Sequence, residues 1–217
     1  MVNNFKMNLK SSRTTNQKQY APATQRNRQP ILEVLKRTLP ARGNILEIAS
    51  GTGEHGTFFA PHFHPRQWIP SDANPSFLAS IRAWRQDCPT DNLQLPLCLD
   101  AIEPRWPIED TADDITGIVN INMIHIAPWQ ACLGLLAGAR RMLPSGGILY
   151  LYGPYKVAGK HRAPSNLAFD QSLRQQDPLW GVRDLDEVVA AAERQGLSLE
   201  QTFSMPANNL SVIFKKN

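Results

Sequence analysis

The sequence predicts an α/β fold, a mostly parallel Rossmann-like sheet with helices on both faces and an antiparallel hairpin at its C-terminal end. Three observations carry this. Short apolar runs of strand length, at 45–48, 67–72, 93–99, 115–121 and 148–152, alternate with stretches of helical periodicity. The first run passes straight into Gly51-Thr52-Gly53-Glu54-His55-Gly56, a strand-to-helix turn in which Gly51 and Gly53 permit positive φ and close approach of a ligand to the backbone. The chain closes with two strand-like runs, 197–203 and 210–214, whose connection is too short for a parallel crossover.

The 217 residues suffice for one sizeable domain. Four of the 23 basic residues, Lys6, Lys10, Arg13 and Lys18, lie in residues 1–19, which contain no acid. The rest is balanced at 19 basic and 19 acidic residues, which argues against a broad nucleic-acid face. Residues 1–19 are therefore expected to be a disordered basic tail, and 20–217 a single domain. The tail lacks the apolar core of a secretory signal, and little amphipathic pattern supports a transit peptide. No run approaches the ~20 apolar residues of a membrane span. Cys88, Cys98 and Cys132 form no CxxC pair, and His62 and His64 have no companion ligands at suitable spacing, so no metal is expected and a reducing cytoplasm is the expected setting.

In chain order, Ile31, Leu32, Val34, Leu35 and Leu39 mark a helix ending at Pro40; Tyr20 to Pro30 reads as its polar lead-in, from which Tyr20, Arg26 and Asn27 could fold over a ligand. The second strand runs over 67–72 with Pro70 expected near its end. Asn74 and Pro75 open a helix carrying Phe77, Leu78, Ile81 and Trp84. Pro96 places the third strand at an edge. The fourth strand, 115–121, leads into Asn122-Met123-Ile124-His125 and a helix with Trp129, Cys132, Leu133 and Leu136 on one stripe. A short helix is expected around 166–175, and Asp184 with Glu187 starts the last one.

The acids locate a ligand. Glu47, Asp72 and Asp100 end successive strands, where ligands of such sheets bind. Asp72 can accept both hydroxyls of a ribose, and Asp100, with the Ala101 N–H beside it, can meet an adenine amine. Ser50, Gly51, Gly53 and Asn122 complete the expected cofactor contacts. Gly51-x-Gly53-x-x-Gly56, with Asp72 21 residues after Gly51, also matches the dinucleotide fingerprint. Read instead from Glu47, the stretch Glu47-x-x-x-Gly51-x-Gly53 resembles motif I of class I S-adenosylmethionine (SAM) dependent methyltransferases. The short chain after the sheet favours this second reading over a nicotinamide oxidoreductase.

A wider resemblance covers most of the chain from Tyr20. YAPATQRNRQPIL, ILEIASGTGEH, SDANPSFLASI, NINMIHIAPW and the long GPYKVAGKHRAPSNLAFDQSLRQQDPLWGVRDLDEV are similar to an uncharacterised class I methyltransferase-like family, the one including methyltransferase-like protein 26. The resemblance implies a seven-stranded sheet in the order 3-2-1-4-5-7-6 and SAM as cofactor. It implies no acceptor. No Asn-Pro-Pro-Tyr type motif follows the fourth strand, which weakens a base-methylating reading. His125 is the first candidate for a catalytic base and Tyr155 a second. Residues 154–183 are expected to form a lid over a small, polar or anionic acceptor, with Lys156, Arg162, Asn166 and Arg174 gripping it. The expected function is methyl transfer to a small molecule; the alternative is SAM or nucleoside binding without transfer. The oligomeric state is not legible.

Overall fold

The computed structural model describes residues 17–110 and 114–217; the basic tail expected over 1–19 falls, except for residues 17–19, outside the described residues. The elements are α1 (Pro22–Thr38), β1 (Asn44–Ile48), α2 (Glu54–Phe59), β2 (Trp68–Asp72), α3 (Pro75–Arg85), β3 (Leu97–Cys98), β4 (Ile115–Ile121), α4 (Trp129–Met142), β5 (Ile148–Pro154), β6 (Lys156–Val157), β7 (Lys160–His161), α5 (Pro164–Gln176), α6 (Leu185–Glu193), β8 (Leu197–Met205) and β9 (Asn209–Lys216).

One sheet has the order β3-β2-β1-β4-β5-β9-β8, and β6 and β7 form a separate small hairpin. Counting only the strands of the large sheet, this is the 3-2-1-4-5-7-6 order. β1 to β5 are parallel to one another. β9 enters antiparallel to β5 and to β8. Alternation along the central strands feeds two cores: Ile118, Leu149, Leu151, Val212 and Phe214 face α4 and α6, while Val119, Tyr150, Tyr152 and Ile213 face α1. This is why the middle strands read as unbroken apolar runs.

The structure shifts several boundaries. α1 begins at Pro22, because Thr24 and Asn27 are buried on a polar face that hydrophobic periodicity cannot register. Pro70 lies inside β2, not at its end. Pairing with the 93–99 segment is broken there: Trp68 bridges Leu93, and the ladder resumes only at Ser71–Leu97. Pro70 and Pro96, which lack an N–H, stand in the gap, so β3 shrinks to two residues. The expected caps hold: Asn74 accepts from the Ser76 N–H and Asp184 from the Asp186 N–H.

Residues 18–21 pack against α3. The Gln19 N–H donates to Ser80 Oγ, whose hydroxyl donates to the Thr52 carbonyl of the glycine loop. The Trp84 indole donates to the Gln19 carbonyl, and Lys18 pairs with Asp87. Lys18 and Gln19, which the sequence places in the tail, thus make contacts with the domain.

Candidate functional site

Two cavities lie side by side at the C-terminal ends of β1, β2, β4 and β5. The first, of about 320 Å³, opens between the glycine loop, the end of β2 and the segment after β3. Ala49, Gly51 and Gly53 all have positive φ (56°, 57° and 93°), so the loop after β1 folds back sharply. At Ala49 this is a strained choice for a residue with a Cβ. A Cβ built on Gly51 meets nothing within 4 Å, so the loop leaves open room at the cavity wall.

Asp72 is the polar centre of this cavity. One carboxylate oxygen accepts the Gly51 N–H at 2.9 Å and the other the Asn74 N–H at 2.8 Å. These bonds orient the side chain and leave lone pairs facing the cavity. Burial raises its pKa above the usual carboxylate value, opposed by N–H donors from Asn74, Gly51 and Ala73. Asp100 accepts the Ile102 N–H at 3.0 Å, a tight turn that presents Ala101 and Ile102 to the cavity opposite Phe77.

Four expected cofactor contacts, Glu47, Ser50, Gly53 and Asn122, sit elsewhere. Glu47 is 2 % exposed, lies beneath Gly56 and accepts the Trp68 indole N–H at 2.9 Å. Alternation along β1 turns it to the α2 side and not to the cavity. Its pKa is pushed up to about 7, chiefly by burial. The Ser50 hydroxyl accepts the Ser71 N–H, tying β1 to β2. Gly53 caps α2 and packs against Ile81.

The second cavity, of about 380 Å³, is walled by the start of α1, the ends of β4 and β5, α5 and the start of β9. After β4 the backbone alternates between the two cavities: Ile121 and Met123 face the first, Asn122 the second, and Ile126 lines both. Asn122 does so from a left-handed conformation (φ 66°), which asparagine tolerates better than most residues. It is therefore a second-cavity residue, a correction to its expected cofactor role. The 122–127 loop is fixed by Arg183, whose guanidinium donates to the carbonyls of Ile124, Ala127 and Leu179 at 2.7–2.9 Å. Sequence reasoning missed Arg183, because a basic residue in a polar connection carries no signal of its partner.

The expected catalytic pair is corrected. His125 is fully buried beneath Gly153 and reaches neither cavity. Its Nδ1 accepts the Arg183 N–H and its carbonyl accepts the Gly181 N–H at 2.9 Å, so it anchors the 122–127 loop. Burial, reinforced by Arg183, pushes its pKa down to about 3. Tyr155 is fully buried with its ring edge-on to His125, and burial raises its pKa.

Of the expected acceptor contacts, only Asn166 lines the second cavity. Arg174 pairs with Asp170, four residues earlier on α5. Arg162 donates to the Asn209 carbonyl and Ser204 Oγ, and Lys156 is held by its backbone at Arg183. Helical phase on α5 explains this: Ser165, Asn166 and Phe169 share the cavity-facing side. Tyr152 and Asn209 were missed, the first because it reads as core strand, the second because it reads as turn. No group of three or more His, Cys, Asp or Glu among the described residues is placed to hold a metal ion.

The strand order, with an antiparallel strand inserted before the last edge, and the strand-end cavity together define the methyltransferase form of the Rossmann-like fold. The chain belongs to the family described as "Protein of unknown function (DUF938)", which matches residues 18–216. Solved structures share the fold. An O-methyltransferase family 2 protein from Planctomyces limnophilus, in complex with apigenin, superposes with a TM-score of 0.73 at 17% identity, covering 88% of this chain and 56% of that one. The S-adenosylmethionine-dependent methyltransferase SibL gives 0.71 at 14% identity, over 89% and 55%. CalO1, a methyltransferase in calicheamicin biosynthesis in its SAH-bound form, gives 0.68 at 15% identity, over 88% and 54%. The chain spans about half the length of these proteins.

Proposed function

We propose that this chain is a SAM-dependent methyltransferase acting on a small molecule, and that it is akin to the family including methyltransferase-like protein 26. The observation that carries the proposal is the pair of cavities meeting at Ile126: one has the donor set for a nucleoside, and the other leaves room for an acceptor beside it. The first cavity fits the cofactor by its donor set. Asp72, pre-oriented by two N–H groups, would hold a ribose diol; the Asp100–Ile102 turn and Phe77 would take the adenine; the open face of Gly51 leaves room for the methionine portion. SAM, when bound, supplies a methyl group already activated on a sulfonium.

What the protein must add is alignment and exclusion of water, a proximity effect. The 122–127 loop, pinned by Arg183, fixes the boundary across which the two partners meet. α5, within the 154–183 segment, closes the far side of the second cavity, which supports reading this segment as part of an acceptor site. The order of the sheet speaks against the nicotinamide alternative, whose dinucleotide fold has no antiparallel strand between its fifth and last. A nucleoside-binding protein without transfer stays as a second reading, because no His, Lys or carboxylate lines the second cavity. Among the described residues no helix is long and apolar enough to cross a membrane, and three free cysteines favour a reducing compartment such as the cytoplasm. Incubation with SAM and a metabolite extract tests transfer. S-adenosylhomocysteine is expected to accumulate above the extract-free rate; binding of SAM with no such release would favour the second reading.

A further inference from the structure

We propose that the second cavity selects an uncharged ligand that accepts a hydrogen bond from the Tyr152 hydroxyl and donates one to the Asn166 amide oxygen. The inference rests on the transferase reading only in calling that ligand the methyl acceptor.

Tyr152, 3 % exposed, lines the cavity as a hydroxyl donor. Burial raises its pKa, which keeps it protonated at neutral pH.

The rest of the lining is neutral as well. Asn166, 4 % exposed, donates its amide to the Asn208 carbonyl at 3.1 Å, so its oxygen is the acceptor it offers. Ile126, Phe169 and Pro154 supply apolar walls, and no Lys, Arg, His, Asp or Glu lines the cavity. Arg162 and Arg174 are engaged outside it. An ion entering here would lose its hydration with no opposite charge to meet it, whereas an uncharged planar molecule would bury its faces and meet one donor and one acceptor.

Three probes of one shape test this: 2-naphthol, 2-naphthoate and 2-naphthylmethylammonium at pH 7, titrated into the full chain with and without saturating S-adenosylhomocysteine. 2-Naphthol is expected to bind at least tenfold more tightly than either ion. Tyr152→Phe keeps the ring and should weaken 2-naphthol about tenfold with 2-naphthoate unchanged. Ser165→Arg, an exposed change on α5, guards against misfolding of the first variant and should strengthen 2-naphthoate at least fivefold. Binding of an ion as tight as 2-naphthol, a Tyr152→Phe protein that binds 2-naphthol within twofold of the parent, an unresponsive Ser165→Arg protein, or no binding of any probe would each overturn the proposal. SAM titration of the same samples separates the two inferences: selectivity for 2-naphthol without SAM binding would remove the transferase reading and leave the neutral site standing.

Discussion

Glu47 and Asp72 end neighbouring strands, and their surroundings give them opposite roles. Asp72 faces a cavity with two N–H donors behind it; Glu47 faces Trp68 in a dry layer under the glycine loop. With its folded pKa near 7 against an ordinary 4.5, Glu47 binds more protons in the folded than in the unfolded chain between those values. Its contribution to stability is present below about pH 4.5 and lost as pH rises through 7. Glu47→Gln keeps an acceptor for the indole and removes the titration. Its stability relative to the parent should therefore rise by about 2–3 kcal/mol between pH 5 and pH 8, measured by urea unfolding. Parallel pH profiles would mean that Glu47 ionises without cost and is not the sealed structural acid described above. His125 acts on the other flank: its depressed pKa removes stability as pH falls from about 6.5 towards 3.

At the scale of elements, α4 supports the first cavity from beneath. Gly134, in its middle, lies under the 100–102 turn; a Cβ there would stand 2.1 Å from the Ala101 carbonyl oxygen. In an isolated helix Gly→Ala gains about 1 kcal/mol. Here Gly134→Ala should instead lower the melting temperature and weaken SAM binding severalfold, because backbone must move. Unchanged affinity in calorimetry would show that the turn yields freely or does not touch the cofactor. The sequence had no way to indicate this contact, since a glycine in a helix reads only as a weak position. It made the sheet plain, because alternating strands and helices, the glycine turn and the strand-end acids are local patterns. Of the first cavity it marked Gly51, Asp72, Asp100 and Ala101, which line it. The second cavity was hidden. Asn27, Tyr152, Asn166 and Asn209 come from four distant elements, and only folding brings their amides and hydroxyl together. His125 misled because a histidine after β4 looks available, whereas the turn at Asn122 carries it under Gly153.

At the scale of the molecule, the parallel half of the sheet supplies the first cavity, and the antiparallel β9, with α1 and α5, helps to wall the second. The central claim is that the first cavity binds SAM through Asp72. The most direct test is isothermal calorimetry of the full chain with SAM, S-adenosylhomocysteine and NAD, repeated on Asp72→Ala. SAM and S-adenosylhomocysteine are expected to bind and NAD not to. Loss of a charge-assisted hydrogen bond of about 1.5–3 kcal/mol should weaken SAM roughly ten- to a hundredfold in a variant that still folds. Tight NAD binding without SAM binding, or a folded Asp72→Ala protein with the parent's SAM affinity, would contradict the account.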